Sequence, residues 1–147
     1  MTSTSLRKAD LQDVPEIVAC IDAAYAKYRG VIDELPPVSE GIDQDITENQ
    51  VWVLDYDGKL AGVLVLVLPP GENFVKLANV ALDPDQSGKG LGRQLIDHAV
   101  LVSKQQGFDE IRLNTHSGMS DNIGLYRHLG WHEIGRSDDT VMMSRKI

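Results

Sequence analysis

The chain has 147 residues, 42% of them hydrophobic and 24% charged, with a net charge of −8 and a pI of about 4.8. That is enough apolar chain for one globular domain with its own core. The acidity, with no run of lysine or arginine, excludes a general nucleic-acid binder, which needs a basic face. The longest apolar run, Leu60 to Leu68, is too short to span a bilayer as a helix, so no membrane partner is expected.

Ser5 to Ala9 reads as a first strand. Asp10 to Asp13 can start a helix, with Pro15 in its first turn. Val14, Ile17, Val18, Ile21, Ala24 and Tyr25 follow helical spacing toward a stop near Gly30. Leu35-Pro36-Pro37 is a loop, and Val38 to Glu48 holds a weaker helix. Val51 to Tyr56 and Lys59 to Leu68 form a hairpin, because Asp57-Gly58 supplies the positive backbone angles of a type I′ turn. Phe74 to Leu82 is a further strand, ended by Asp83-Pro84-Asp85.

Leu91, Leu95, Ala99 and Val102 then mark one face of a helix to about Gln106, with Gly107 as its stop. Glu110 to Thr115 is a strand. Ser120 or Asp121 caps a helix running to Leu129, followed by Gly130 in the left-handed position. Trp131 to Arg136 and Thr140 to Ile147 form a last strand pair. The order β-α-(α)-β-β-β-α-β-α-β-β is that of one α/β domain, residues 1–147, with a mixed sheet. Cys20, the only cysteine, sits on the apolar side of the first helix as inert core and forms no internal disulfide. The start of the chain lacks the basic and apolar regions of a signal peptide, so the expected location is cytoplasmic.

The strongest signal lies between a strand and a helix, in Gln86-Ser87-Gly88-Lys89-Gly90-Leu91-Gly92-Arg93. Alternating glycines let backbone N–H groups approach a ligand, and the helix start adds partial positive charge. Together with Lys89 and Arg93 they predict a phosphate or pyrophosphate site. A P-loop is excluded, because Lys89 is followed by Gly90 rather than Ser or Thr. A dinucleotide fingerprint is excluded by the Gly-x-Gly-x-Gly spacing and the mid-chain position.

These residues resemble the GNAT superfamily of N-acetyltransferases, whose motif is Arg or Gln, two residues, Gly, one residue, then Gly or Ala. Gly90 and Gly92 match its two small positions, while the first position falls on Ser87 with Gln86 beside it. The resemblance covers nearly the whole chain by element order and is most specific from about Asn79 to Trp131. It implies a GNAT-like mixed central β-sheet flanked by helices, acetyl-CoA as co-substrate, and an acetyl transfer to an amine. It also implies that the main chain of Val80 and Leu82 pairs with the pantetheine arm and that Gln86 to Gly92, with Arg93, hold the pyrophosphate. Asn122 and Tyr126 match an Asn and a Tyr that the family's next helix often supplies.

Direct attack on a thioester needs a neutral amine, a proton donor for the departing thiolate and a donor to the oxyanion. Tyr126, four residues after Asn122 on one helix face, is the expected acid. The family often carries a Glu on its fourth strand, but Lys76-Leu77-Ala78-Asn79 offers no carboxylate. His116 is therefore the candidate proton acceptor, with Asp33 and Glu34 as others, and Tyr25 and Tyr28 as candidate pocket residues. The acceptor is a small-molecule or peptide amine, and a second copy of the chain is a candidate partner. Asp33, Glu34, Glu40, Asp43 and Asp45 favour a cationic acceptor. His98, His128 and His132 form no spaced metal motif, and no metal is expected. No Gly-x-Ser-x-Gly elbow points to a serine hydrolase. Two other readings remain: the same fold as a non-catalytic acyl-CoA sensor, and a nucleotide-dependent transferase.

Overall fold

A computed structural model describes residues 4–26 and 41–147. The expectations at Tyr28, Gly30, Asp33 to Pro37 and Glu40 lie outside them. Chain order runs β1 (Thr4–Lys8), α1 (Val14–Tyr25), α2 (Ile42–Glu48), β2 (Gln50–Tyr56), β3 (Lys59–Val67), β4 (Val75–Leu82), α3 (Leu91–Gln105), β5 (Glu110–His116), α4 (Ser120–His128), β6 (His132–Arg136) and β7 (Thr140–Lys146). One seven-stranded sheet has the order β1-β2-β3-β4-β5-β7-β6. Among the described residues, only β4 and β5 pair in parallel. The mixed α/β sheet matches the fold expected from the sequence.

Local chemistry explains the element ends. Asp10 and Asp13 form a reciprocal capping box at a short 3-10 turn over Leu11–Asp13, and α1 follows with a proline in its first turn. Asp57 and Gly58 both have positive φ, 50° and 83°, as the β2–β3 turn requires. Gly107 and Gly130 take φ of 88° and 96° where α3 and α4 end. One expectation changes: α4 begins at Ser120 itself, and its N-cap position is Met119, which gives no side-chain cap. Neither Ser120 nor Asp121 therefore caps that helix.

The sheet separates two cores. On one face α1 and α2 pack Ile17, Cys20, Ile21 and Ile42 onto Val51, Val53, Val63, Val65 and Ala81. On the other, α3 and α4 pack Leu91, Leu95, Ile96, Ala99, Ile123 and Tyr126 onto Leu64, Leu66, Val75, Leu77, Ile111 and Leu113. The β3–β4 register shifts at Val65/Leu66, where Asn79 and Leu77 are successive partners and Ala78 is the extra residue. An inserted residue reverses the two-residue alternation of a strand. Val75 and Leu77 accordingly face the α3 side before the bulge, Val80 and Leu82 face it after, and Ala81 turns to α1.

Candidate active site

The bulge coincides with a gap in the sheet. Strands β4 and β5 pair only at Val75↔Ile111, Lys76↔Arg112 and Leu77↔Leu113. Beyond these, β4 stays with β3 as far as Leu82, and β5 stays with β7 as far as His116. The two strands thus part into a wedge between Asn79–Leu82 and Asn114–His116. The Asp83 N–H donates to the Ala61 carbonyl on β3 at 2.8 Å. Peptide groups alternate sides along a strand, so those of Ala81 also face β3, whereas those of Val80 and Leu82 face the wedge. Those peptide groups are left without a strand partner and are free to pair with an extended ligand.

The glycine loop closes one end of the wedge. After β4 the chain makes a 3-10 turn at Pro84–Gln86, in which the Asp83 side chain accepts from the Asp85 N–H. Gly88 and Gly90 follow with φ of 79° and 76°, backbone that a side chain strains, and Gly90 is the N-cap of α3 with no side-chain cap. A Cβ on Gly88, Gly90 or Gly92 would meet nothing within 4 Å, so the loop is open on its outer side. Among the described residues, the N–H groups of Gly88, Lys89 and Gly90 donate to no backbone carbonyl. Those of Leu91, Gly92 and Arg93 open α3, where no intrahelical acceptor exists. This cradle fits a phosphate-bearing ligand. Ser87, Lys89 and Arg93 are exposed beside it, Gln86 is half-buried, and the Leu91 side chain is buried in the core beneath. Lys89 is partly engaged: its Nζ donates to Gln86 Oε1 at 2.6 Å and stands 4.4 Å from the Tyr56 ring centre.

Tyr126 enters from the α3–α4 side, 5% exposed, with its ring edge-on to Trp131 at 5.6 Å between centres. Burial, and then the nearby Tyr25, push its hydroxyl well above the usual tyrosine range. It therefore stays protonated throughout the ordinary pH range. Tyr25, at the end of α1, donates to Asn79 Oδ1 at 3.3 Å, tying α1 to β4 at the mouth of the wedge. Asn122 lies one turn before Tyr126, half-buried, with Nδ2 3.6 Å from Met119 Sδ.

His116 ends β5 on the opposite, α1-facing side. Its Nδ1 accepts the Gly118 N–H at 2.9 Å, which places the proton of the neutral ring on Nε2. Asp43 and Asp45 sit in the first turn of α2, where carboxylates complement the helix dipole, and Asp45 also accepts from Asn49. Cys20 is buried, its Sγ 3.6 Å from the Ala61 carbonyl, and burial raises its thiol to about 12. Among the described residues, no group of three or more His, Cys, Asp or Glu is placed to hold a metal ion. Among them too, no helix is long and apolar enough to cross a membrane.

Sequence reasoning weighed Asn79 only as a missing carboxylate and left Lys76, Arg112 and Asn114 unassigned. Their single signal was polarity at the outward positions of otherwise apolar strands.

Comparison with known proteins bears on this geometry. The family model described as Acetyltransferase (GNAT) family matches residues 18–131. The chain is 26% identical over 160 residues to an uncharacterized N-acetyltransferase of Escherichia coli, YjgM, covering 99% of this chain and 96% of that one. It is 28% identical over 153 residues to the L-methionine sulfoximine/L-methionine sulfone acetyltransferase of Pseudomonas aeruginosa, covering 91% and 83%. The crystal structure of PaiA N-acetyltransferase from Thermoplasma acidophilum in complex with coenzyme A superposes with a TM-score of 0.87 at 20% identity, over 99% of both chains.

Proposed function

The chain belongs to the acetyltransferase (GNAT) family, an acyltransferase family with acetyl-CoA as co-substrate, and on that premise we propose that it transfers acetyl directly to a primary amine with Tyr126 as general acid. The observation that carries the assignment is the wedge between β4 and β5 with the glycine cradle at one end. The buried Tyr126, close enough to Tyr25 to feel its charge, supports the choice of donor.

Each residue of the chain has one task in this reading. The loop N–H groups from Gly88 to Arg93 hold the pyrophosphate, with the exposed Arg93 adding charge and Lys89 steadying the loop from Gln86 and Tyr56. Gln86, Ser87 and Leu91 shape the turn between strand and helix. The peptide groups of Val80 and Leu82 align the arm that carries the thioester. Asn122 holds the first turn of α4 beside the site. The acceptor enters from the α1 face, where Tyr25 and Asn79 border the wedge. The amine nitrogen attacks the thioester carbonyl, the C–S bond breaks, and the Tyr126 hydroxyl gives its proton to the sulfur. Burial keeps the hydroxyl protonated, so the proton is in place at neutral pH, and the raised pKa means that it leaves only as charge develops on the sulfur.

The amine's proton passes to water on the α1 face. His116 is the imidazole of that face, and it receives the proton at Nδ1 only by giving up the Gly118 bond. His116→Gln should therefore lower kcat less than Tyr126→Phe does. The reaction belongs to the cytoplasm in this reading, where acetyl-CoA is made and spent. A panel of free amino acids and peptide N-termini, assayed for coenzyme A release, tests the assignment. Release above the rate without amine supports it. Binding of acetyl-CoA with no acceptor-dependent release favours the sensor.

A further inference from the structure

The described residues of α1 and α2 cover the α1 face over β2 to β4 only. Further along that face lies a cavity of about 240 Å³, lined by Phe74, Lys76, Arg112, Asn114, Ile134 and Met142. About 150 Å³ is enough to hold benzene, so the space suits a body the size of an amino-acid side chain. Its walls are of two kinds. Phe74, Ile134 and Met142 give an apolar side, with Ile134 47% and Met142 36% exposed. Lys76, Arg112 and Asn114 give a polar side at the closed end of the wedge.

The polar side has a sign. Arg112 is bound to Glu110 at 2.6 Å, which with the nearby Glu72 offsets its charge, and lies 4.2 Å from the Phe74 ring centre, which fixes its plane. Lys146 in turn acts on Glu110, so Arg112, Lys146 and Lys76 outnumber the two carboxylates by one. Glu110 also accepts from the Ser144 hydroxyl at 2.7 Å. Lys76 is exposed, and among the described residues it has no carboxylate partner. Lys76 and Arg112 are register partners, one pair before β4 and β5 separate, and Asn114 stands where the wedge begins. From Lys76 to Asn79 is three residues, roughly 10 Å of strand. The surplus positive charge therefore sits beside the place where an acceptor amine would reach the thioester, with an apolar wall next to it.

Resting on the reading above, we propose that this cavity is the acceptor subsite and that it takes an amino-acid-like amine, its carboxylate on Lys76 with Asn114 and its apolar side chain against Phe74, Ile134 and Met142. The net charge of −8 would by itself favour a cationic acceptor. Two of the five acidic residues behind that expectation, Asp43 and Asp45, are used at the start of α2 instead. Exposed charges are screened beyond ~8 Å at physiological salt, so a carboxylate held directly on Lys76 answers to that lysine more than to the net charge of the chain.

The test uses binding of products, which avoids differences in amine pKa between substrates. N-acetyl-L-leucine, N-acetyl-L-methionine and N-acetyl-L-phenylalanine are titrated calorimetrically in the presence of coenzyme A, each beside its neutral N-acetyl amide. At least one carboxylate should bind roughly 10-fold more tightly than its amide, the difference between a charge-assisted and a neutral hydrogen bond. Lys76→Gln should abolish that preference and leave amide affinity unchanged. Equal or tighter binding of all three amides, no binding of any carboxylate, or a preference that survives in Lys76→Gln would overturn the assignment. Acetyl transfer is measured separately. Lys76-dependent carboxylate binding without transfer would sink the enzymatic reading alone, and transfer that ignores the carboxylate would sink this one alone.

Discussion

Replacing Tyr126 by Phe removes one oxygen and keeps the ring. The ring makes the contacts: it is 5% exposed and edge-on to Trp131, a pairing worth ~0.5–1.5 kcal/mol that the variant retains. Stability should therefore change by no more than about 1 kcal/mol. The chemical step loses its proton donor, and general acid catalysis contributes typically ~10²–10⁴-fold, which is ~2.7–5.5 kcal/mol of barrier. The assay is single-turnover release of coenzyme A at saturating acceptor, so that product departure does not mask chemistry, with calorimetric affinity for coenzyme A measured beside it. The expected result is a kcat at least 100-fold lower with affinity unchanged. Because burial and Tyr25 hold the hydroxyl above its ordinary value, any decline in wild-type rate from ionisation of this acid should lie above pH 10. A variant with wild-type single-turnover rate would make Tyr126 a packing residue and refute the reasoning.

The raised pKa of Tyr126 also predicts a stability change. Below pH 10 the residue is protonated in both folded and unfolded chains, and above it only the unfolded chain ionises freely, so wild-type stability should fall with rising pH more steeply than that of Tyr126→Phe in urea titrations. Gly90→Val places a branched side chain at φ 76° and over the N–H groups of the cradle, so coenzyme A affinity should drop at least 10-fold while circular dichroism stays native; unchanged affinity would remove the cradle from the account. Gly62→Ala puts a Cβ 2.7 Å from Leu95 Cδ1, in a fully buried cluster, and should cost ~1–3 kcal/mol by chemical denaturation; a neutral effect would show that Leu95 yields freely. Tyr25→Phe breaks the bond to Asn79 and should raise acceptor KM more than it lowers kcat, measured by steady-state kinetics.

Much of the fold was written locally. The turn at Asp57-Gly58, the helix stops at Gly107 and Gly130, and the apolar spacing of α1 and α3 each follow from neighbouring residues. The glycine turn and helix start proposed as the phosphate cradle were legible for the same reason, since they are consecutive in the chain. The wedge was not. It depends on Ala78 being the extra residue opposite β3, and nothing in Leu77-Ala78-Asn79-Val80 says which residue the ladder will skip. The cavity was equally hidden, because Lys76, Arg112 and Met142 come from three strands whose pairing is set by the whole sheet. Net charge, being a sum over the chain, carries no information about where Lys76 stands. The helix cap expected at Ser120 failed because the chain enters α4 through Met119, whose N–H is already bound to the His116 carbonyl.

The central claim is that an acetyl group passes from acetyl-CoA to an acceptor nitrogen. Its most direct test supplies acetyl-CoA labelled with carbon-13 in the acetyl group, together with a mixture of free amino acids and short peptides, and follows the label by mass spectrometry. The account predicts labelled N-acetyl product, formed one for one with coenzyme A and suppressed in Tyr126→Phe. Labelled acetate alone, or acetyl-CoA bound and recovered intact after prolonged incubation, would contradict it.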